Sequence, residues 1–389
     1  MEKIYKKILN SLSKLIIFGF GENSKNLIDN LISFNIKVDF LCDNDIDKQG
    51  TFYRGIECKS LKELEQYKDE STVLISIDQW DLVIDDIKSA GFKEIYLNSL
   101  IEFMPPKGYE NLKSYRHFGH YYSLYPDINE ITNKENSIFV KDKPLLGIDL
   151  NENNQLKLFE SMKNLYLSAP KWEKHKSKTE KNKFRYFIEN GFFGHSDALG
   201  LHYMLRILQP KNVIEVGSGF SSAVMLDTNE FYLNNSIQFT FIEPYPNRLK
   251  SLLKATDTVS LIESDLQDIP VDVFEKLQAG DILFIDSTHV SKVNSDVNYL
   301  IFEILPRLNH GVIIHFHDIF YPFEYPREWI MEGRIWNEIY LLRGFLQNNK
   351  EYEILFFVNM FHKKYENMLK YEWCFDKNSP GGSIWIRKL

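Results

Sequence analysis

Cysteine is scarce in this chain of 389 residues, which has three: Cys42, Cys58 and Cys374. A disulfide framework needs more cysteines, and a cysteine-based zinc site needs them in close pairs, so both are excluded. Three isolated thiols are typical of a reducing compartment, and we expect a cytoplasmic protein.

Long apolar runs are also missing. No stretch approaches the ~18 consecutive apolar residues that a membrane-spanning helix requires, and the apolar residues 15–18 are too few for the core of a signal peptide. Positive charge is in deficit, because 46 Lys and Arg stand against 54 Asp and Glu and the net charge is −8. Since an acidic surface repels phosphate backbones, nucleic acid is a poor default partner.

Residues 1–104 alternate short β-forming runs with amphipathic segments. Strand, helix and strand in repetition predict a parallel sheet covered on both faces, here a small Rossmann-like α/β domain. The predicted strands lie at residues 15–18, 37–42, 72–77 and 94–97.

A glycine turn, Gly19 and Gly21, joins the first of these strands to a helix, and Asp43 ends the next strand. Glycines let the backbone approach a pyrophosphate, and an acid in this place binds a ribose hydroxyl. The three residues therefore predict a nucleotide site in this domain, second to the cofactor site predicted in the C-terminal domain. A tight turn that serves docking or dimer contacts is the alternative.

Residues 105–190 are less regular and rich in Asn, Lys, Tyr and Pro, and we expect a linker and a helical cap segment there. The domain at residues 191–389 returns to clear βα alternation. Five βα units followed by a helix and two strands predict a seven-stranded, mostly parallel Rossmann-like sheet with a terminal antiparallel excursion. Its predicted strands are 212–216, 238–242, 259–262, 281–285, 311–316, 352–357 and 383–387, and its predicted helices include 221–232, 271–277 and 297–308.

A second glycine turn follows the first strand of this domain. Glu215 closes the strand, Gly217, Ser218 and Gly219 form the turn, and Glu243 ends the second strand. S-adenosylmethionine has an ammonium group and two ribose hydroxyls but no phosphate. An acid at the turn can meet the ammonium group, and Glu243 can accept both ribose hydroxyls. The pattern therefore favours S-adenosylmethionine over NAD.

Residues 117–389 resemble a bacterial class I S-adenosylmethionine-dependent methyltransferase. The resemblance implies that the glycine stretch binds the methionine end of the cofactor and that Glu243 binds the ribose. It also implies that Asp265, with its neighbour Leu266, flanks the adenine. The N-terminal domain resembles the small Rossmann-like domains often fused to bacterial sugar-modifying enzymes. The stretches that carry the methyltransferase resemblance are 213–222, 241–246, 283–289 and 315–320.

Acid–histidine groups follow the fourth and fifth strands of this domain. Asp286 and His289 follow the fourth strand, and His317 and Asp318 follow the fifth. Ligands of an open parallel sheet bind beyond the carboxyl ends of its strands, so we expect both groups on the cofactor's rim, with Asp286 also touching the cofactor. His315 is either part of this group or a core histidine.

Two chemistries are open for this group. In one, Asp286 and Asp318 hold Mg²⁺ or another divalent cation, which activates a substrate hydroxyl. In the other, His289 or His317 acts as the general base. The catalytic candidates are thus His289, His317 and Asp318.

The spacing Asp286-x-x-His289 resembles that of the metal-dependent macrolide-sugar O-methyltransferases. The resemblance implies a metal-ligating Asp, a His base, and an acid pair after the next strand. His317 and Asp318 stand in place of that pair. This departure from the family pattern puts the metal in doubt.

An aromatic insertion at residues 321–336 follows the fifth strand. Inserted loops on this rim commonly cover the acceptor, so its rings can stack on a sugar, with Glu324, Arg327, Arg334 or Glu338 at the hydroxyls. A packed lid without direct contact is the alternative.

We expect methyl transfer to a hydroxyl of a small-molecule acceptor, with a sugar or nucleotide-sugar favoured. The alternatives are methylation of another small molecule and a non-catalytic nucleotide-binding or scaffold protein. A homo-oligomer is compatible with the sequence.

Overall fold

The computed structural model describes residues 14–33, 36–76, 81–97, 119–176, 183–370 and 379–389. The chain divides into two compact units, Met1–His117 and Phe118–Leu389. The predicted boundary between residues 104 and 105 lies outside the described residues, and the bounds 1–104, 105–190 and 191–389 stay predictions.

The N-terminal unit is built on a six-stranded sheet in the order β3-β4-β2-β1-β5-β6. Alternate residues of β1 point to opposite faces, so Ile17 packs in one apolar core and Ile16 in another. Both faces of the sheet are therefore covered, as predicted. The strands are β1 (Lys14–Phe18), β2 (Phe40–Cys42), β3 (Phe52–Tyr53), β4 (Ile56–Lys59), β5 (Ser71–Ile75) and β6 (Glu94–Leu97), and the helices are α1 (Glu22–Ser33), α2 (Leu61–Leu64) and α3 (Asp81–Ser89).

The strands β3 and β4 form an antiparallel hairpin that the sequence reading did not include. Its two-residue turn, Arg54 and Gly55, has φ angles of 51° and 79°. Two positive φ angles in succession are the backbone of the turn type that best fits strand twist. A single glycine in a short polar segment was too weak a signal for a hairpin.

The C-terminal unit contains a seven-stranded sheet in the order β12-β13-β11-β10-β7-β8-β9. The last strand, β13, runs antiparallel to both β11 and β12, and β7 to β11 pair in parallel. The predicted fold class is confirmed. The strands are β7 (Asn212–Val216), β8 (Gln238–Ile242), β9 (Ser260–Ile262), β10 (Ile282–Ile285), β11 (Ile313–His317), β12 (Tyr352–Phe357) and β13 (Ser383–Lys388).

Helices cover this sheet, and two predicted helices differ from those observed. Residues 271–277 form only a short 3-10 turn, and residues 296–307 change from α-helix to a π turn to a 3-10 turn, ending near Pro306, which lacks the N–H a helix needs. The α-helices are α4 (Ile128–Asn133), α5 (Glu135–Ile138), α6 (Glu152–Lys163), α7 (His195–Leu208), α8 (Phe220–Tyr232), α9 (Asn247–Leu252), α10 (Asp296–Tyr299), α11 (Arg327–Met331), α12 (Glu338–Leu346) and α13 (Val358–Lys364).

The centre of this sheet is apolar on both faces, and every residue of β10 is buried. Strands buried on both faces are typical of helix-covered parallel sheets. Polar groups collect instead where β7, β8, β10 and β11 end, which is one edge of the sheet. Within the described ranges, no helix has the length and apolarity needed to span a membrane.

Candidate active site

The loop after β7 passes directly against the end of β10. The Asp286 amide donates to the carbonyl of Val216 at 2.9 Å. A Cβ atom at Gly217 would lie 1.8 Å from the Asp286 carbonyl oxygen, and Gly217 has a φ of +79°. Only glycine fits this conformation and this approach, so the contact between the two strand ends explains the first glycine of the turn.

The side chain of Glu215 lies behind this loop. It is fully buried, and it accepts hydrogen bonds from the hydroxyls of Ser221 and Ser222 at the start of α8. The Gly219 amide in turn donates to the Ser222 hydroxyl at 2.9 Å. Burial raises the pKa of Glu215 to about 8, although the two serine hydroxyls oppose the rise. Glu215 thus fixes the shape of the turn through the two serines at the start of α8.

Glu243, at the end of β8, faces the loop from the other side. One carboxylate oxygen accepts from the Ser218 amide at 3.1 Å and the other from the Tyr245 amide at 2.8 Å. These bonds fix the orientation of the carboxylate at the mouth of the turn. Both oxygens keep lone pairs that can accept further hydrogen bonds.

A cavity of about 470 Å³ opens between the ends of β7, β8, β9 and β10. A volume of this size is in the range of small-molecule sites. Of the predicted cofactor residues, Gly217, Glu243, Asp265 and Asp286 line it, whereas Glu215, Ser218 and Gly219 do not. The structure therefore brings the predicted ribose acid, the predicted adenine neighbour and the glycine turn to one cavity.

His289 sits at the edge of this site in a strained backbone conformation, with a φ of 61°. Its Nδ1 lies 2.8 Å from a carboxylate oxygen of Glu338, whose other oxygen accepts from the Ser287 hydroxyl at 2.8 Å. The ring packs on Trp336 at a centroid distance of 4.4 Å. With a carboxylate at Nδ1, Nε2 is the imidazole nitrogen that remains for other partners.

Sequence reasoning placed Glu338 among the groups that bind acceptor hydroxyls, and it missed the pairing with His289. Glu338 begins α12, and its amide donates to the His289 carbonyl at 3.1 Å. The two residues are far apart along the chain, so no local pattern signals the contact.

Nε2 of His289 points between two carboxylates. It lies 3.5 Å from Oδ1 of Asp286 and 3.6 Å from Oδ2 of Asp318. His317, the last residue of β11, approaches Asp318 from the other side, with 3.4 Å between its Nε2 and Oδ1. The structure therefore joins all four predicted residues in one acid–histidine corner made of Asp286, His289, His317 and Asp318.

Burial and charge oppose each other at this corner. Burial alone would lower the pKa of His289, but Asp286, Glu338 and Asp318 outweigh it and raise that pKa well above its usual value. Burial raises the pKa of Asp318 to about 6, with nearby carboxylates adding to the rise and His317 and His289 opposing it. The carboxylates around His289 therefore favour its protonated form.

His315 is a core residue. It is buried in β11 and stacks on Phe284 at 3.8 Å, with Trp385 at 4.6 Å on another side. Burial lowers its pKa well below the usual value, so it stays neutral. Of the two interpretations of His315, the structure agrees with the core histidine.

The predicted divalent cation at Asp286 and Asp318 finds no support. Their oxygens suit Mg²⁺, but the imidazole of His289 stands between the two carboxylates. In the part of the chain that the structure describes, no group of three or more His, Cys, Asp or Glu is placed to hold a metal ion.

The N-terminal glycine turn repeats one contact of this site. The Phe20 amide donates to Asp43 at 2.7 Å, just as the amide between the two C-terminal glycines donates to Glu243. Asp43 is already engaged, since it also accepts from the Asp45 amide at 2.9 Å and from Lys48 at 3.1 Å. The nucleotide site at Gly19, Gly21 and Asp43 stays a prediction.

The comparisons with known proteins point to one class. A family model described as "Methyltransferase domain" matches residues 214–319. A protein from Archaeoglobus fulgidus, described as uncharacterized, is 35% identical over 166 residues, which are 41% of this chain and 72% of the relative.

Solved structures of methyltransferases show weak similarity. The methyltransferase FkbM from Methylobacillus flagellatus has a TM-score of 0.40 at 11% identity, covering 91% of this chain and 89% of that one. A Podospora anserina methyltransferase bound to S-adenosylhomocysteine has a TM-score of 0.33 at 14% identity, covering 69% and 99%. Because these TM-scores are low, the assignment to the methyltransferases depends on the family model that matches residues 214–319.

The glycine turn, the strand order and the family match together define the class. The chain is an S-adenosylmethionine-dependent methyltransferase, and the part that matches the methyltransferase domain lies in the C-terminal unit.

We predict that Glu243→Ala weakens binding of S-adenosylhomocysteine by roughly tenfold to a hundredfold, because charge-assisted hydrogen bonds contribute about 1.5–3 kcal/mol. Isothermal titration calorimetry on the purified variant measures the change. Glu263→Ala is the matched control, since Glu263 follows the neighbouring strand and pairs with Lys250. Equal affinity of Glu243→Ala and Glu263→Ala would remove Glu243 from the cofactor site.

Proposed function

We propose that this enzyme transfers the methyl group of S-adenosylmethionine to a hydroxyl of a small molecule, with a sugar as the favoured acceptor. The observation that carries the proposal is the acid–histidine corner, which lies beside the cofactor cavity and shares Asp286 with it. A hydroxyl must lose its proton as its oxygen is methylated, and the corner supplies groups that can take that proton.

The residues of the cavity fit the cofactor. Gly217 of the turn lines the cavity, and Glu243 presents a carboxylate fixed by two amides. We propose that Glu243 accepts the ribose hydroxyls and that Asp265 lies by the adenine. Glu215 acts through the turn that it holds.

His289 is the proposed base, and its Nε2 is the proposed proton acceptor. When bound, S-adenosylmethionine would supply an electrophilic methyl group whose bond to sulfur breaks as the bond to the acceptor oxygen forms, with S-adenosylhomocysteine as the leaving group. The hydroxyl proton passes to Nε2 of His289. Glu338 holds the imidazole in place through Nδ1. Asp318 and His317 complete the charge balance of the corner, and Asp286 links it to the cofactor cavity.

Sugar acceptors are favoured by the aromatic insertion. Trp329 and Trp336 lie edge to face at 5.3 Å, and Trp336 contacts His289. Aromatic rings bury large apolar faces, and the C–H faces of sugars are suitable partners. Methylation of another small hydroxyl compound is the second candidate, since the corner needs only the hydroxyl.

We predict that His289→Ala removes turnover and leaves binding of S-adenosylhomocysteine nearly unchanged, because His289 does not line the cofactor cavity. The assay follows transfer of a labelled methyl group to a panel of sugars. It scores products that survive mild alkali, because methyl ethers survive and methyl esters do not.

His310→Ala is the control for this experiment, since His310 is exposed and lies away from the corner. Turnover by His289→Ala at the rate of His310→Ala would rule out His289 as the base. A product that is labile to alkali would rule out an ether-forming reaction.

The pH profile tests the pairing with Glu338. His289 must be deprotonated to accept a proton, so kcat/KM should rise with pH through the raised pKa of His289. Glu338→Gln removes one of the charges that raise this pKa. We expect the acidic limb of the profile to move to lower pH.

Glu332→Gln removes an exposed charge that pairs with Arg334, and it should leave the profile unchanged. An acidic limb that stays in place in Glu338→Gln, or that moves to higher pH, would contradict the proposed role of Glu338.

A further inference from the structure

A second cavity lies on the same edge of the seven-stranded sheet as the cofactor cavity. Its volume is about 580 Å³, and its walls come from the segments after β11, after β12 and before β13. The cofactor cavity follows β7, β8, β9 and β10. The two cavities thus occupy the two halves of the edge where open α/β sheets bind ligands.

The acid–histidine corner stands where these halves meet, since Asp286 follows β10 and Asp318 follows β11. Phe320, a wall of the second cavity, lies beside the corner: a Cβ atom on Gly382 would be 2.7 Å from its ring and 3.4 Å from Cα of Asp318. Tyr325, another wall, is 6.1 Å from the ring of Trp336, which packs on His289.

One cation of this cavity forms no ion pair with a described residue, although the charge of Glu324 acts on it from a distance. Lys363 lies on α13 and is half-buried, and no ion pair or hydrogen bond joins its ammonium group to any residue that the structure describes. Its neighbour Lys364 differs, because it pairs with Glu152 at 2.6 Å. An ammonium group held partly out of water needs a partner.

Each acid of the cavity wall either has a hydrogen-bond or ion-pair partner or is exposed to water. Glu324 accepts from the Tyr340 hydroxyl, and Glu366 pairs with Lys141 at 2.8 Å. Glu328 is exposed. The other cation of the wall, Arg327, is paired with Glu135 at 2.7 Å. Lys363 is therefore the cation of the wall that has room for a direct ion pair with a ligand, since Glu324 acts on it only from a distance.

We propose that this cavity is the acceptor site and that the acceptor carries an anionic group, a carboxylate or a phosphate, which pairs with Lys363. The inference rests on the proposed function, because it names the substrate class of the same reaction. Phe320 and Tyr325 offer the apolar face for the body of the acceptor, and the hydroxyl to be methylated faces the corner.

Ligand-induced thermal shifts test this inference in the full chain, saturated with S-adenosylhomocysteine and at matched ionic strength. The probes are glucuronate, glucose 1-phosphate and glucose. We expect at least one anionic probe to raise Tm more than glucose does. Stabilisation by glucuronate alone assigns a carboxylate, and stabilisation by glucose 1-phosphate alone assigns a phosphate.

Lys363→Met should weaken binding of the anionic probe at least tenfold and keep the shift caused by S-adenosylhomocysteine. Lys350→Met, in an exposed lysine at the other end of β12, should bind the probe like the wild-type protein. Two results overturn the inference: neither anion exceeds glucose in the wild-type protein, or Lys363→Met binds the anion unchanged.

If Lys363→Met does not fold, the ranking of the three probes in the wild-type protein still tests the inference. If S-adenosylhomocysteine does not raise Tm, the proposed function fails. This measurement is made without the probes, so the two failures are distinguishable.

Discussion

The contact between two strand ends governs the site. The backbone after β7 touches the backbone after β10 so closely that Gly217 has no room for a side chain, and the Asp286 amide is fixed to the Val216 carbonyl. This contact opens the cofactor cavity on one side of Asp286 and directs its carboxylate to His289 on the other. The cavity and the corner are therefore neighbours because two strands of a parallel sheet end together.

The corner is stable because its charges compensate each other. A buried carboxylate is costly unless it is paired, and Asp286, Asp318 and Glu338 surround the imidazole of His289. The same pairing raises the pKa of His289 and so sets the pH at which it can take a proton. Positive φ angles at His289 and Asp318 show that the chain accepts backbone strain at these two residues. The charges of the corner are thus paired with one another, whereas Lys363 in the second cavity forms no ion pair with any described residue.

The sequence predicts the strands of the C-terminal sheet well, because each is a short apolar run followed by a turn or a polar residue. It also predicts the acids and glycines of the edge, since strand order brings strand ends together. What it misses depends on distant contacts. Glu338 meets His289 only after α12 has packed, and residues 271–277 have helical spacing but fold as a short 3-10 turn. Irregular turns can bury apolar residues at this spacing as well as a helix can. The spacing alone therefore does not distinguish a turn from a helix.

The most direct test of the account is a crystal structure of the protein with S-adenosylhomocysteine. The account predicts the ribose hydroxyls within hydrogen-bond distance of Glu243 and the sulfur facing Asp286 and His289. The contradicting result is an empty C-terminal cavity with the molecule bound at Gly19 and Gly21, or a ribose placed away from Glu243.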